Sequence, residues 1–466
     1  MNSTAEAWND RELQRAATLA KHVRSIVGAD SRIFAARAPG RVNLIGEHTD
    51  YSGLPVLPIA IDRSTIVVAA ANSDREIALS NLDPAWPSRR FPISKNIEPY
   101  PTGDWANYVK AAVQGVIDHF ATRGHAVDRM LGATMLVDGR VPPAAGLSSS
   151  AALTVSAAMA FMAINNLQLD GIDAATMVAR SEWYVGTRAG GMDQAASILG
   201  RRDHATFIEF EPLRVYPVPI PADAAIIVAD SRQIADKSGT VRAEYNRRVV
   251  ECAIAARILG RALKLDNVRI LGDVIRNFER WNSRDLLRVL ESNAPARLGA
   301  DLNEAAAILD ESRSALENDV LGVGANRIAL DSNRPLEILR RTRHVLSETE
   351  RVMLAVEALK SGRLREMGDL MNESHRSLAE DFECSTAQLD RLVECARRGG
   401  ALGARLTGAG FGGSIVALCE SSTAARVVDR LRQEYYANLA DSLPFEESCA
   451  VLHAGDGAST IELAAA

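Results

Sequence analysis

The chain has 466 residues, 47% hydrophobic and 24% charged, with a formal net charge of −6, enough for two or three domains with sizeable cores. The acidic balance and the lack of a basic run argue against nucleic acid or an anionic membrane as a partner. No apolar run approaches the roughly 18 residues that span a bilayer. Cys252, Cys384, Cys395, Cys419 and Cys449 are too scattered for a disulfide framework or a cysteine-rich zinc site. The N-terminus lacks the basic start and apolar core of a secretory signal, so a cytoplasmic location is expected.

Apolar positions at helical spacing from Leu13 to Val27 predict an amphipathic helix over 11–28, stopped by Gly28. A short strand, Ile33–Ala36, leads into Arg37-Ala-Pro-Gly-Arg41-Val-Asn-Leu-Ile-Gly-Glu47-His48-Thr-Asp50-Tyr51, where two arginines, two carboxylates and a histidine fall within fifteen residues. Val42, Leu44 and Ile45 should anchor this segment in a core, leaving the charges to line a cleft. The Glu47-His48-x-Asp50 cluster offers donors and acceptors to a polyhydroxylated ligand. With one histidine and no second His or Cys nearby, it is a poor zinc site. Strands are expected at 65–71 and 76–79, and a helix opens at Trp105. That tryptophan could stack on an adenine, although an aromatic at a helix start more often belongs to the core.

A strand at 130–137 feeds Val141-Pro-Pro-Ala144-Ala145-Gly146-Leu147-Ser148-Ser149-Ser150-Ala151-Ala-Leu153. The small residues permit close backbone approach. The serines open an Ala-rich helix reaching about residue 166, whose unpaired N–H groups and dipole suit an anion such as a phosphate chain. An ordinary serine cap is the alternative. A helix at 171–188 carries Glu182, and the Gly190-Gly191 pair marks a tight approach before Asp193. Asp193 either projects into a cleft or caps the turn 194–199. Strands are expected at 206–210 and 225–230, then a Lys/Arg-rich helical stretch containing Tyr245. Residues 250–400 read as nearly continuous helix, including Asn372-Glu-Ser-His375. The glycine-rich run 404–413 precedes a strand at 414–419 and a closing helix at 423–439.

Gly408-Ala-Gly410-Phe-Gly412-Gly413 satisfies G-x-G-x-x-G. The residues after these glycines, Ser414–Cys419, are strand-like rather than helical, with no acidic residue at the expected distance, so the dinucleotide-binding reading fails. The P-loop, the protein-kinase set and G-x-S-x-G are also absent. Three separate patches remain, 37–51, 142–152 and 404–414, which together point to a cleft holding phosphates and a polar co-substrate.

At these residues the sequence resembles the GHMP small-molecule kinases, and within them the galactokinase and N-acetylgalactosamine kinase branch. The first patch matches the galactokinase signature, Gly146-Leu-Ser-Ser-Ser-Ala-Ala the ATP motif, and Leu406–Gly413 the third motif. The resemblance implies an α+β, two-domain GHMP kinase fold, with an N-terminal domain of the ribosomal S5 domain 2-like type over 1–220 and a ferredoxin-like C-terminal domain over 221–466. The active site would lie in the cleft between them. It further implies that Ala144, Ala145, Gly146, Leu147, Ser148, Ser149, Ser150 and Ala151 bind ATP, with Ser150 and Glu182 on Mg²⁺. Glu47, His48, Asp50, Gly190 and Tyr245 would bind the sugar. Asp193 would be the catalytic base and Arg41 its partner, keeping it ionised and stabilising the transferring phosphoryl.

The implied activity is an ATP-dependent sugar 1-kinase, a galactokinase that makes α-D-galactose 1-phosphate and ADP, acting on ATP and a small sugar; the sequence leaves the oligomeric state open, a monomer being plausible. Two features lean toward N-acetylgalactosamine: Ala144, where the family's motif carries glycine, and the Ile208-Glu-Phe-Glu-Pro-Leu stretch. Tyr245 sides with galactokinases, whereas Ser52 replaces their usual asparagine. A non-catalytic sugar and ATP sensor is the rival from another class, disfavoured by the complete serine motif beside Arg41 and Asp193.

Overall fold

The computed structural model describes residues 7–186, 190–233, 240–278, 280–323, 327–331, 333–439 and 443–464. Helix α1 (Asp10–Val27) is capped by Asn9 and Glu12, each side chain bonding the other's backbone N–H. Strands β1 (Ile33–Ile45), β2 (Leu57–Asn72), β3 (Glu76–Asn81) and β4 (Arg89–Pro92) precede α2 (Ala106–Ala121) and β5 (Gly132–Gly139). Then come α3 (Ser149–Ile164), α4 (Gly171–Ser181) and α5 (Met192–Leu199), followed by a hairpin of β6 (His204–Glu209) and β7 (Arg214–Pro219). Strand β8 (Ala224–Asp230) opens the second half.

A largely helical block comes next: α6 (Thr240–Ala262), the short α7 to α10 (Leu271–Ile275, Ser283–Asn293, Asn303–Leu309, Arg313–Val320), α11 (Ile338–Lys360), α12 (Leu364–Glu380) and α13 (Ala387–Arg398). Strands β9 (Gly403–Thr407) and β10 (Ser414–Glu420), then α14 (Ala424–Glu434), α15 (Phe445–Ser448), β11 (Cys449–Leu452) and β12 (Ser459–Leu463) complete the chain. Among the described residues, no helix is long and apolar enough to cross a membrane.

The first sheet has the order β12-β1-β2-β5-β3-β4 and is antiparallel except for β3 against β5. Its strands read as continuous apolar runs because both faces are covered. On β2, Ile66, Val68 and Ala70 meet α1, while Val67 and Ala69 face the core that α2 to α5 supply. Helix α3 is apolar on every side and buried nearly throughout, as befits a central helix. The second sheet, β11-β8-β10-β9, is wholly antiparallel. One face packs on the helical block through Ile227, Ala229, Ile415 and Ala417. Its other face places Ile226, Val228, Val416 and Leu418 in one core with Val42, Leu44, Leu57 and Ile59 of the first sheet.

Three sequence expectations change. The strand expected to end at Ala36 runs on through Arg41 to Ile45, because register shifts after Pro39 and Asn43 absorb the Pro-Gly pair without ending the pairing. The expected helix 171–188 is α-helical only to Ser181 and tightens into a 3₁₀ turn over Glu182–Val185; residues 187–189 lie outside the described residues. The helix at 423–439 does not close the chain, since β11 and β12 come after it, β12 returning to pair with β1. These strands are short and sit on sheet edges, which leaves little alternating pattern to read.

Candidate active site

The extension of β1 brings Arg41 to its far end, and the loop after it is built to hold still. Thr49 Oγ1 donates to the carbonyls of Gly46 and Pro55, both at 2.9 Å. Gly46 N–H donates to Glu348 at 2.9 Å, and His344 Nε2 lies 3.1 Å from the Glu47 carbonyl. Glu47, 2% exposed, accepts the Gly408 N–H at 2.7 Å and lies 3.5 Å from the Arg405 guanidinium. Burial pushes its carboxyl upward, and Arg405 and then Arg41 pull the other way.

His48 has φ 63°, an uncommon conformation outside glycine. Its Nε2 lies 3.1 Å from the Ala409 carbonyl and its Nδ1 3.2 Å from the Tyr51 hydroxyl. A carbonyl only accepts, so Nε2 carries the proton and Nδ1 accepts from Tyr51. Burial pushes the imidazole down to about 3, leaving it neutral. His48 therefore shapes the site with both ring nitrogens already engaged.

Asp193 is the second residue of α5, whose N-cap is Gly191, so it does not cap that turn. Its Oδ1 accepts from Arg41 Nε at 2.7 Å and Nη2 at 2.6 Å, and its Oδ2 from Ser148 Oγ at 2.5 Å. Arg41 Nη1 donates to the Gly146 carbonyl at 2.7 Å. Ser148 sits at the N-cap of α3 in a left-handed conformation, with no cap bond from its side chain. The simple serine cap is thus excluded: this hydroxyl is turned onto Asp193, leaving the first-turn N–H groups of α3 without a side-chain partner.

Arg41, Glu47, His48, Asp50, Asp193 and Tyr245 together line a small cavity of about 50 Å³. Beside it lies a cleft of about 1000 Å³, walled by Ala144, Gly146, Leu147, Ser148, Ser149 and Ser150, by Thr407, Ala409, Gly410 and Gly412, and by Trp86 and Tyr108. Close approach between the serine and glycine motifs is built in. Gly146 has φ 76°, and a Cβ there would stand 2.9 Å from the Thr407 carbonyl oxygen. Ser414 Oγ donates to the Ala145 carbonyl at 2.6 Å.

Not every expected residue faces these spaces. Ala145 and Ala151 are buried and off the cleft wall, holding the motif in place. Gly190 is absent from the cavity lining; its N–H donates to Asp50 Oδ2 at 3.1 Å, and a Cβ would fall 2.2 Å from the Asp50 carbonyl carbon. Glu182 is buried behind the wall, where its charge raises the Tyr108 phenol after burial has done most of that. Trp105 is largely buried, with Nε1 donating to the Pro87 carbonyl at 3.0 Å, yet it still lines the cleft. Trp86, 37% exposed, lines the cleft beside it; in a proline-flanked turn it obeys no helical or strand period.

Sequence reasoning also missed the support beneath Glu47. Arg405, fully buried, donates to the Asn43 carbonyl at 3.0 Å and to Ser374 Oγ at 3.1 Å. Ser374 donates to Glu348 at 2.7 Å. Glu348 is held down to about 2: burial pushes it up, but Arg351, His344 and Arg405 outweigh that. Asn372 bonds the Leu402 carbonyl and the Ala404 N–H, so the Asn372-Glu-Ser-His375 stretch props β9. Its helical period was legible, but its partners lie about thirty residues away in sequence.

Three family models match the chain: "Galactokinase galactose-binding signature" over 22–71, "GHMP kinases N terminal domain" over 107–201 and "GHMP kinases C terminal" over 355–438. A galactokinase of Dictyostelium discoideum is 35% identical over 439 residues, covering 88% of this chain and 86% of that one. The structure of Lactococcus lactis galactokinase complexed with galactose matches with a TM-score of 0.74 and 26% identity, covering 95% of this chain and 99% of that one. A D-glycero-D-manno-heptose 1-phosphate kinase from Bacteriodes thetaiotaomicron shares the fold at a TM-score of 0.53 and 13% identity, covering 92% and 99%.

Proposed function

Because the chain belongs to the galactokinase family of the GHMP kinases, we propose that it transfers the γ-phosphoryl group of ATP to the C1 hydroxyl of galactose. It is a phosphotransferase that acts on a sugar hydroxyl. The observation that carries the finer reading is the Asp193 carboxylate, clamped by Arg41 and Ser148 in a cavity of Glu47, His48, Asp50 and Tyr245.

The sugar occupies that cavity and the triphosphate lies along the cleft over the N-terminus of α3. Asp193 takes the proton of the C1 hydroxyl as its oxygen bonds to the γ-phosphorus. The bond to the β,γ-bridging oxygen breaks, and ADP leaves with the electron pair. Arg41 orients Asp193 and offsets negative charge beside the reacting oxygens. Glu47 and Asp50 accept from sugar hydroxyls, with Tyr245 walling the site.

Ser150 on the cleft wall and Glu182, buried close to Tyr108, carry the hard oxygen atoms that would hold Mg²⁺. Among the described residues no group of three or more His, Cys, Asp or Glu could hold a metal, so phosphate oxygens and waters would complete that shell. When bound, the ion neutralises phosphate charge.

The test is ATP with galactose, N-acetylgalactosamine, glucose and mevalonate, monitoring ADP release and locating the phosphorylated carbon by NMR. Galactose 1-phosphate as the main product supports the reading. Faster turnover of N-acetylgalactosamine reassigns the sugar, and no turnover favours the non-catalytic sensor.

Burial, and next the charge of Asp193, raise the Asp50 carboxyl to about 6. Below that pH Asp50 is protonated and loses acceptor capacity. The sugar kcat/KM, which reports the free enzyme, should therefore fall about tenfold per unit as pH drops below the Asp50 value. A profile flat across this range would remove Asp50 from sugar binding. The sign for stability is opposite: the folded form holds this proton more tightly than the unfolded chain, so the Asp50 contribution grows as pH falls through the same window.

Gly190→Ala should move the Asp50-Tyr51 backbone, since neither the carbonyl carbon at 2.2 Å nor the Tyr51 nitrogen at 2.4 Å from the new Cβ can yield alone. Overpacking of this kind costs about 1–3 kcal/mol. The expected result is a lower melting midpoint together with a raised sugar KM. An unchanged KM would show that the contact does not set the Asp50 position.

A further inference from the structure

On the reading above, the terminal phosphate of ATP must pass from the cleft toward the small cavity. Among the described residues, two line both spaces, Arg242 and Ala409. Arg242 lies in the first turn of α6, three residues before Tyr245, so the two side chains share a helix face. A cation in that turn meets the positive end of the helix dipole, which disfavours it. Nearby Glu244 offers no relief, because it is engaged by Arg248 and Arg334. Among the described residues, no carboxylate pairs with Arg242. Such a local conflict calls for a use elsewhere.

Among the described residues, the other arginines that line the two spaces are already committed. Arg140, also on the cleft wall, is held by Asp138 at 3.1 Å. Arg41 directs Nε and Nη2 at Asp193 and Nη1 at the Gly146 carbonyl. We infer that Arg242 binds the terminal phosphate of the nucleotide at the junction of the two cavities, its guanidinium fork taking γ-phosphoryl oxygens. Arg41 then works mainly through Asp193, and Arg242 supplies positive charge to the phosphoryl group where the two spaces join. This rests on the functional reading, which places ATP in the cleft.

The inference requires Arg242 to distinguish a triphosphate from a diphosphate. Calorimetric titration of wild type, Arg242→Gln and Arg242→Lys with ATP and with ADP, Mg²⁺ present throughout, tests it without turnover. Arg242→Gln should weaken ATP by about tenfold or more while leaving ADP and galactose binding within about twofold, and Arg242→Lys should recover part of the loss. Equal weakening of ATP and ADP, or no weakening of either, overturns the inference. Wild-type protein that binds ATP yet does not phosphorylate galactose overturns the functional reading and leaves this one standing. Failure of the wild type to bind ATP defeats both.

Discussion

Asp193→Asn should reduce kcat by a factor on the order of 10³ while sugar and ATP still bind, since a positioned general base contributes about 10² to 10⁴. The substitution preserves shape. The amide oxygen can still accept from Arg41 Nε and Nη2, which now lie 2.7 and 2.6 Å from Asp193 Oδ1. The charge disappears, and with it the lone pair that receives the C1 proton in the proposed mechanism. Arg41, 3% exposed, then keeps its bond to the Gly146 carbonyl but loses its counter-ion, so a modest drop in stability should accompany the loss of rate. Asp193→Ala separates the two effects, because it also removes the acceptor for Arg41 and Ser148 and should be the less stable variant. Steady-state kinetics with galactose and ATP, alongside calorimetric binding of each, decide the matter. A kcat within tenfold of wild type would remove Asp193 as the base.

Arg405→Met should give the largest fall in stability, about 3–5 kcal/mol, the range for removing one partner of a buried ion pair. The guanidinium is fully buried and serves the Asn43 carbonyl, Ser374 and Glu47 at once, linking β9 to the end of β1 and to α12. Without it, Glu47 stays buried with the Gly408 N–H as its nearest support, at 2.7 Å. Arg351 still neutralises Glu348 at 2.8 Å, so the damage should concentrate on Glu47. Thermal unfolding should show a lowered midpoint, and the sugar KM should rise by more than the ATP KM. Arg405→Lys keeps the charge but not the fork, and it should fall between the two. An unaltered midpoint with an unaltered sugar KM would show that Glu47 is positioned by Gly408 alone.

Much of this protein is local and was legible as such. The apolar spacing of α1, the Ala-rich α3 and the β-branched run of β2 each reflect preferences set within a few residues, so their types are readable without the fold. Val42, Leu44 and Ile45 serve as the anchors their sequence suggests, and they lie in the core between the sheets. The family, too, is carried by contiguous motifs. Boundaries are harder to read wherever pairing overrides local signals, as at Pro39-Gly40, where the register shift lets β1 continue.

The working connections are of another kind. Arg41 meets Asp193 across 152 positions and Ser148 meets Asp193 across 45. Whether Ser148 caps its helix or turns onto a carboxylate cannot be read from three serines in a row. The choice depends on where α5 delivers Asp193. Likewise Gly190 looks like a ligand contact in the sequence and proves to be a point of backbone contact with Asp50. Sequence alone determined which chemical groups this chain carries and which local elements hold them. The stacking of two sheets through one shared core decided which groups meet, because charges and hydrogen bonds act over a few ångströms that only the tertiary structure fixes.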